Sequence, residues 1–425
     1  MDVLQLWVMF IFLLVFSSLV QVSNSQNLTC NSNDLKVLES FLIRLDSGTF
    51  NDWGSSNSTS TNRNCCNWLG ITCKSSFSLG FLIDPIDSGW VVKLEHSGKR
   101  LMGMLNQTNF TGLDQLTTLN LSINFLGGSL PPSLFQLPNL QVIDLSKNDF
   151  SSSSPMNFNL PFLEIFNISN NSFQSLVPVG ICVNSTQIRI IDFAVNYFYG
   201  RIPSGFGNCN SLEHLWLGEN FLARDIPEDI FQLPRLNQLG LQDNRFSGEL
   251  SSGIGSLSDL VGLDISLNSF SGPIPDVFHR FSKLQEFYTE SNKFLGGIPN
   301  SLSNSRTITS LVLRNKSLNG VIDLNCFEMT HLVSLSLATD QFTGLVPNNL
   351  PLCSSLKTIG LSQNNFTRQI PESFRNFHGL SRLSISSSII FNLSTALDIL
   401  QHCQNLTILA LTLVFMVNNC YPFLV

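Results

Sequence analysis

Charge is scarce in this sequence. Only 12% of the 425 residues are Asp, Glu, Lys or Arg, and the formal net charge is −7. Lysines and arginines form no run long enough to follow a phosphate backbone. Because nucleic-acid affinity depends on clustered cations, the sequence excludes nucleic acid as an expected partner.

Motifs that carry catalysis or hold cofactors are also missing. The sequence has no glycine-rich phosphate loop, no kinase signature and no Cys-x-x-Cys or His/Cys cluster with metal-ligand spacing. The six histidines share no spacing, and a carboxylate pair such as Glu228 and Asp229 is typical of a solvated face. The sequence therefore predicts a protein that is not an enzyme and that has no cofactor and no metal.

Long apolar runs occur at the two ends only. The run from Val3 to Val20 is followed by small and polar residues, which predicts a signal peptide over residues 1–25. Asp2 stands where a basic residue is usual, and an uncleaved anchor is the alternative. The run from Leu406 to Val417 is shorter than the roughly 20 residues that cross a bilayer, so a repeat strand is expected there.

Glycosylation sequons and cysteines favour export to an oxidising compartment. Ten cysteines are present, two of them adjacent at Cys65 and Cys66. We expect a protein that is secreted or lies on the extracellular face of the plasma membrane. The predicted glycan acceptors, on exposed surface, are Asn27, Asn57, Asn106, Asn109, Asn120, Asn167, Asn170, Asn184, Asn315, Asn365, Asn392 and Asn405.

One motif repeats through most of the chain. Segments such as "LTTLNLSINFLGG" and "LVGLDISLNSFSG" share the pattern L-x-x-L-x-L-x-x-N-x-L/F. Lys99, Lys316, Asp340, Ser388 and Val414 stand where an asparagine is expected, which makes about fourteen repeats with the last one incomplete. The asparagine itself recurs, mostly every 24 residues, at positions 124, 148, 171, 196, 220, 244, 268, 292 and 364.

The repeat predicts a solenoid with one short strand per coil. Leucines of Leu-x-Leu point inward, the residues between them face outward, and the asparagine turns inward to bond backbone groups that water cannot reach. Such groups cost roughly 1–3 kcal/mol each when they stay unpaired. Each coil needs its neighbours to bury its core, and the ends need caps.

A second sequence motif identifies the type of repeat. Segments such as "GRIPSGFG" and "SGPIPDVF" share x-Ile/Val-Pro, in which glycine turns the chain and Ile-Pro is extended. The pattern resembles the 24-residue leucine-rich repeat of plant extracellular proteins, which implies a superhelix. The predicted fold is an α/β solenoid with a parallel concave sheet, repeats over 91–413, an N-terminal cap over 26–90 and a divergent tail over 414–425.

The predicted cap contains a short helix and four cysteines. Asn33 is placed to cap a helix with an apolar face that includes Leu38 and Phe41. The segment "CCNWLGITC" resembles the plant repeat cap, and that resemblance implies disulfides Cys30–Cys65 and Cys66–Cys73. Sequence alone leaves three pairings open.

Cysteines within the repeats form two pairs with the same offset of 27 residues, Cys182/Cys209 and Cys326/Cys353. The offset places each pair on neighbouring coils. Disulfides and buried free thiols are both open there, and Cys403 and Cys420 have no obvious partners.

Binding is the function that a rigid concave sheet favours. Large aromatic side chains on such a face are common anchors, and Trp216 and Tyr288 are the candidates here. The other outward positions that the repeat predicts are Asn120, Asp144, Asp192, Gln242, Asp264, Glu290, Arg314, Ser384, Ser386 and Thr412.

A closer resemblance covers residues 30–413. "STQIRIIDFAVNYFYGRIPSGFGNCNSLEHLWLGEN" and "ALDILQHCQNLTILALTL" resemble the ectodomain of plant phytosulfokine receptors. Those receptor kinases bind a tyrosine-sulfated peptide between an island domain and the inner face, and then recruit a co-receptor kinase. The resemblance implies peptide-facing positions at Arg314, Gly360, Ser384, Ser386 and Thr412. The family has Asn where Gly360 stands, so one hydrogen-bonding side chain is missing.

These observations predict an extracellular ligand-recognition domain, similar to a truncated phytosulfokine receptor without island domain, membrane helix and kinase. Peptide binding is expected to be weak or absent. The expected partners are a sulfated peptide hormone or another extracellular peptide or protein, and a co-receptor kinase ectodomain. The alternatives are a secreted defence protein, similar to the repeat inhibitors of polygalacturonases, and a receptor fragment without a role of its own.

Overall fold

The computed structural model describes residues 28–45, 64–75, 88–152, 158–366, 369–385 and 393–411. Several predictions concern residues outside these ranges. They are the signal peptide, the tail over 414–425, and Asn27, Asn57, Ser386, Ser388, Asn392, Thr412, Val414 and Cys420.

One long sheet runs through the described repeats, with one strand per coil and parallel pairing between coils. Its central residues, such as Leu119 and Leu263, are buried, as the Leu-x-Leu pattern predicts. This confirms the predicted solenoid. Ile71–Ser75 pairs antiparallel with the first long strand, Ser88–Glu95. The other strands are Thr29–Cys30, Thr118–Asn120, Val142–Asp144, Ile165–Asn167, Ile190–Asp192, His214–Trp216, Gln238–Gly240, Gly262–Asp264, Glu286–Tyr288, Ser310–Val312, Ser334–Ser336, Thr358–Gly360, Arg382–Ser384 and Ile408–Ala410.

A second set of short strands follows the asparagine of each coil and forms a separate face. A left-handed glycine turns the chain here, as at Gly248 with φ 90° and Gly272 with φ 72°. The strands are Met102–Met104, Phe125–Gly128, Asp149–Ser152, Ser172–Phe173, Tyr199–Gly200, Phe221–Arg224, Arg245–Glu249, Ser269–Pro273, Lys293–Leu295, Asn319–Val321, Gln341–Gly344 and Asn365–Phe366.

Short helices close the remaining side of the coils. The α-helices after the cap are Ile181–Asn184, Asn300–Ser303 and Leu393–Leu400. The 3₁₀ helices are Cys65–Asn67, Phe110–Gly112, Pro132–Gln136, Phe206–Asn208, Glu228–Gln232, Ser252–Ser256, Phe278–Arg280, Leu350–Leu352 and Glu372–Asn376.

The asparagine ladder forms as predicted and is fully hydrogen-bonded. Asn268 donates from Nδ2 to the carbonyls of Leu241, Ile265 and Ser266 at 2.9, 3.2 and 2.9 Å. Its Oδ1 accepts from the Phe246 N–H at 3.0 Å. One side chain thus satisfies four backbone groups in two coils, which is why the position tolerates little else.

The ladder shifts by one residue in the coil after Asn292. Lys316 is exposed with φ 68°, whereas Asn315 is 1% exposed and turns inward. Asn315 Oδ1 accepts from the Asn292 N–H at 3.1 Å, and Nδ2 donates to Thr289 Oγ1 at 3.0 Å. The prediction that Lys316 takes the ladder position is therefore wrong, because a lysine ammonium could not be buried there without a partner.

The cap helix spans Ser32–Ile43 and begins two residues earlier than predicted. Asn31, not Asn33, is the N-cap, and its Oδ1 accepts from the Asn33 N–H at 2.8 Å. Asp34 in the first turn is buried and accepts from the Val91 N–H at 2.7 Å, which ties the helix to the first long strand. Burial raises the pKa of Asp34 to about 6.

Four disulfides join cysteines within the described ranges. Cys30–Cys65 and Cys66–Cys73 staple the cap in the pairing that the plant resemblance implies. Cys182–Cys209 and Cys326–Cys353 each join neighbouring coils, which decides between the two alternatives left open for them. Cys403 is a buried thiol that donates to the Phe374 carbonyl at 3.3 Å.

The sequon asparagines differ in exposure. Asn315 and Asn167 are buried, so the expectation that all acceptors lie on exposed surface is wrong for these two. Asn120 is half-buried on the concave sheet. The exposed members are Asn106, Asn109, Asn170, Asn184, Asn365 and Asn405.

Candidate functional site

The concave sheet presents a row of outward side chains, one from the third residue of each three-residue strand. We call it the middle row. Neighbouring members are paired in register across adjacent coils. From Asn120 onward it consists of Asn120, Asp144, Asn167, Asp192, Trp216, Gly240, Asp264, Tyr288, Val312, Ser336, Gly360, Ser384 and Ala410.

The Asn and Asp members of this row are engaged by their own backbone. Each Oδ1 accepts a hydrogen bond of 3.0 to 3.1 Å from the N–H two residues later, and this turn ends the strand. These side chains lie in the outward row, but the turn uses part of their hydrogen-bonding capacity. The residues are Asn120, Asp144, Asn167, Asp192 and Asp264.

Burial raises the pKa of several carboxyls along this half of the sheet. The pKa of Asp192 rises to about 7, chiefly because the carboxyl is desolvated, with Asp144 adding to the effect. Burial also raises the pKa values of Asp144, Asp264 and Glu286. Carboxyls are thus frequent on this part of the concave face, and burial favours their neutral, protonated form.

Trp216 packs against Gly240 of the next coil. A Cβ atom at Gly240 would stand 2.8 Å from Trp216 Cδ1, so glycine is what makes room for the indole. The His214 ring stacks on the indole with centroids 4.9 Å apart. His214 is buried, and burial lowers its pKa to about 4, so it is neutral at physiological pH. Trp216 is thus held rigidly on the concave face.

Tyr288, the other predicted anchor, lies three coils further on and is half-buried. Burial raises the pKa of its phenol to about 12, and the carboxylates of Glu286, Asp264 and Glu290 act in the same direction. The Tyr288 phenol therefore keeps its proton and can donate a hydrogen bond, at the end of the carboxyl-rich part of the sheet. Contact of Trp216 and Tyr288 with a ligand stays a prediction.

The character of the concave face changes beyond Tyr288. Here most outward positions carry hydroxyls or small side chains, but Arg382 is exposed at the start of its strand and Arg314 is exposed two residues after its strand. The strand that carries Gly360 lies two strands beyond that of Arg314, about 10 Å away at the usual strand spacing. An anionic group would meet Arg314 here, one coil beyond Glu290.

Gly360 and Ser384 are neighbours on adjacent strands. A Cβ atom at Gly360 would lie 3.2 Å from Ser336 Oγ, so the strand leaves a narrow gap at this position. Ser384 Oγ lies 2.6 Å from Ser362 Oγ, and this hydrogen bond occupies part of its capacity. The structure brings Gly360 and Ser384 together, with Arg314 further along the same face. Ser386 and Thr412 fall outside the described ranges.

No metal site emerges among the described residues. The one compact group of candidate ligands there is Cys65, Cys66 and Cys73, and all three sulfurs are in disulfides. No helix in the described ranges combines the length and apolar character that a bilayer crossing requires.

Comparison with known proteins agrees with this architecture. Residues 115–137 and 355–377 match the family model of the Leucine Rich Repeat. The fold is that of a leucine-rich repeat protein. Among solved structures, the plant peptide hormone receptor RGFR1 in complex with RGF2 matches with a TM-score of 0.70 and 26% identity, over 75% of this chain and 51% of that chain.

Curated relatives of this leucine-rich repeat chain are plant receptors. Phytosulfokine receptor 1 of Arabidopsis thaliana is 48% identical over 211 residues, which is 50% of this chain and 19% of the receptor. The probable LRR receptor-like serine/threonine-protein kinase RPK1 of the same plant is 28% identical over 149 residues, 33% of this chain and 26% of that protein. The chain thus matches only about a fifth to a quarter of their lengths, and it has the fold of plant receptor ectodomains.

Proposed function

We propose that this chain recognises a short acidic peptide, tyrosine-sulfated as for the phytosulfokine receptors, on the concave face between Ser310 and Ser384. The change of side chains along that face carries the proposal: carboxyls are frequent up to Glu290, and Arg314, Arg382 and neutral hydroxyls follow. A guanidinium offers several donors in a plane, which suits a sulfate or carboxylate. The 48% identity to phytosulfokine receptor 1 supports this ligand class.

Binding is expected to be weak. Gly360 supplies no side chain where the phytosulfokine receptor family has Asn. A peptide on the concave face between Ser310 and Ser384 therefore loses one hydrogen-bonding partner. Ser384 is already hydrogen-bonded to Ser362 and has less capacity for a ligand. Each missing hydrogen bond to a charged or polar ligand group reduces binding by about 1 kcal/mol or more.

An extracellular location belongs to the same proposal. Four disulfides support an oxidising compartment, and six exposed sequons support passage through the secretory route. The signal peptide over residues 1–25 and a co-receptor kinase ectodomain as partner stay predictions.

Calorimetry with a tyrosine-sulfated peptide of the phytosulfokine type and its unsulfated twin tests the proposal. We expect the sulfated peptide alone to bind, with less than about 8 kcal/mol of binding free energy, which corresponds to a dissociation constant above micromolar. Arg314→Gln should remove the preference for sulfate. Gly360→Asn should strengthen binding several-fold, because it restores an amide beside Ser384.

Arg280→Gln serves as the matched control, because this exposed arginine lies on a 3₁₀ helix away from the concave sheet. It should leave binding unchanged. Equal binding of both peptides, or no binding even by Gly360→Asn, would show that the ligand class is wrong. Sub-micromolar, sulfate-dependent binding by the unmodified chain would contradict the expectation of weak binding.

A further inference from the structure

Three neighbouring aromatic side chains are exposed on the face of the second strand set, outside the concave sheet. Tyr197 is 49% exposed, Tyr199 48% and Phe221 39%. The rings of Tyr197 and Phe221 stack with centroids 5.9 Å apart, and the Arg245 guanidinium carbon lies 4.7 Å from the Phe221 centroid. With Gln174 these four residues line a shallow depression of about 350 Å³, which we call the aromatic ledge.

The fold does not require aromatic residues at these positions. Tyr197, Phe221 and Arg245 each follow a ladder asparagine directly, and the next residue, as at Phe198 and Phe246, is the one that enters the core. Four other coils carry polar residues at the equivalent position, namely Asp149, Ser172, Ser269 and Lys293, and Phe125 is an isolated exposed aromatic there. Adjacent exposed aromatic rings that make no contribution to the core indicate a binding surface.

Three arginines lie on or beside the aromatic ledge. Arg201 and Arg224 line the adjoining depression with Asp225, which pairs with Arg201 at 2.7 Å. Arg245 has no ion pair within the described part of the chain. The three arginines lie on successive coils, and Glu219 and Asp243 are exposed close by in the sequence. Because Arg245 makes no ion pair among the described residues, its guanidinium is available to a ligand with negative charge.

We propose that the aromatic ledge binds an anionic oligosaccharide built from uronate sugars. A pyranose ring has an apolar face of C–H groups, which matches the exposed faces of Tyr197 and Tyr199. Its hydroxyls match the phenol groups and the Gln174 amide, and its carboxylate matches the Arg245 guanidinium. The depression is at the lower end of the volumes typical of ligand sites, about 300–1,000 Å³, which suits a short saccharide segment.

The test is titration calorimetry of the full chain with a galacturonic acid hexamer, and with a glucose hexamer as neutral probe. We expect the anionic hexamer to bind and added salt to weaken it, since the contact with Arg245 is exposed. Tyr197→Ala should weaken binding at least tenfold. Arg245→Gln should weaken it at least fivefold and remove the preference for the anionic hexamer.

Phe125→Ala and Lys293→Gln are matched controls, because both residues occupy the equivalent position after a ladder asparagine in distant coils. Neither should change the affinity. The proposal is overturned if the unmodified chain does not bind the anionic hexamer at concentrations up to about 5 mM. It is also overturned if the control variants weaken binding as much as the ledge variants, or if the neutral hexamer binds equally well.

Discussion

Asn268→Asp should lower the free energy of unfolding by about 4 kcal/mol at pH 7, although the two side chains have nearly the same shape. The substitution removes the amide that donates to three carbonyls, those of Leu241, Ile265 and Ser266. It also places carboxylate oxygen against those carbonyl oxygens in a buried position. Chemical denaturation followed by circular dichroism would measure the loss.

Asn210→Asp is the control for this change, since Asn210 is exposed on a loop between two coils. It alters the net charge equally and should change stability by less than about 0.5 kcal/mol. Lowering the pH to 4 should restore part of the Asn268→Asp loss, because a protonated carboxyl can donate to one carbonyl. If Asn268→Asp is as mild as Asn210→Asp, the ladder does not hold the coils together.

Asp340→Asn should have the opposite effect and stabilise the protein at neutral pH. Asp340 occupies a ladder position, and its Oδ1 accepts from the N–H groups of Asn315 and Leu318 at 3.1 and 3.2 Å. Its Oδ2 is buried without a hydrogen bond. In the next coil the Asn364 Nδ2 donates to three carbonyls, so an amide at 340 would find the equivalent acceptors.

The sign of the pH dependence follows from the protonation of Asp340. Burial raises the pKa of Asp340 from its usual 3.8 to about 7 in the folded protein, so the folded state binds the proton more tightly than the unfolded state. The stabilising effect of protonation is complete below the unfolded pKa and is lost as the pH rises through about 7. We therefore expect Asp340→Asn to gain about 2–4 kcal/mol at pH 8 and little at pH 4.

Thermal unfolding of Asp340→Asn and the unmodified chain between pH 4 and pH 8 would measure this difference. Asp323→Asn is the control, because Asp323 is exposed. Its unfolding temperature should change with pH in the same way as that of the unmodified chain. Asp34 and Asp192 also have raised pKa values, so only the difference between the two proteins isolates Asp340. A constant gain at all pH values would contradict a titrating Asp340.

Most of the fold could be predicted because the repeat is redundant. Leucines and asparagines recur at one spacing in many coils, so the repeat is recognisable even where a single coil departs from it. Asn315 shows where this redundancy fails: "RNKSL" offers Asn315 one residue before the expected place, and the 24-residue count selected Lys316. Burial decides between them, since only the amide can enter the ladder without leaving a charge unpaired.

The candidate site was less predictable than the fold. The outward direction of Asp144 and Asp264 follows from strand alternation, but their use in closing turns depends on the N–H two residues later. The recurring Asp/Asn-x-Ser pattern in the sequence could have indicated this turn. For Trp216, the deciding neighbour is Gly240, which lies in the next coil and leaves the space that the indole occupies.

By itself, the sequence determined the solenoid, the strand register and the positions that face outward. These follow from local periodicity, because each coil must place apolar residues and one amide against the next. Only the tertiary structure decided which outward residues are available to a ligand. That depends on hydrogen bonds and contacts between coils, which occupy Ser384 through Ser362 and leave Tyr197, Phe221 and Arg245 exposed on one ledge.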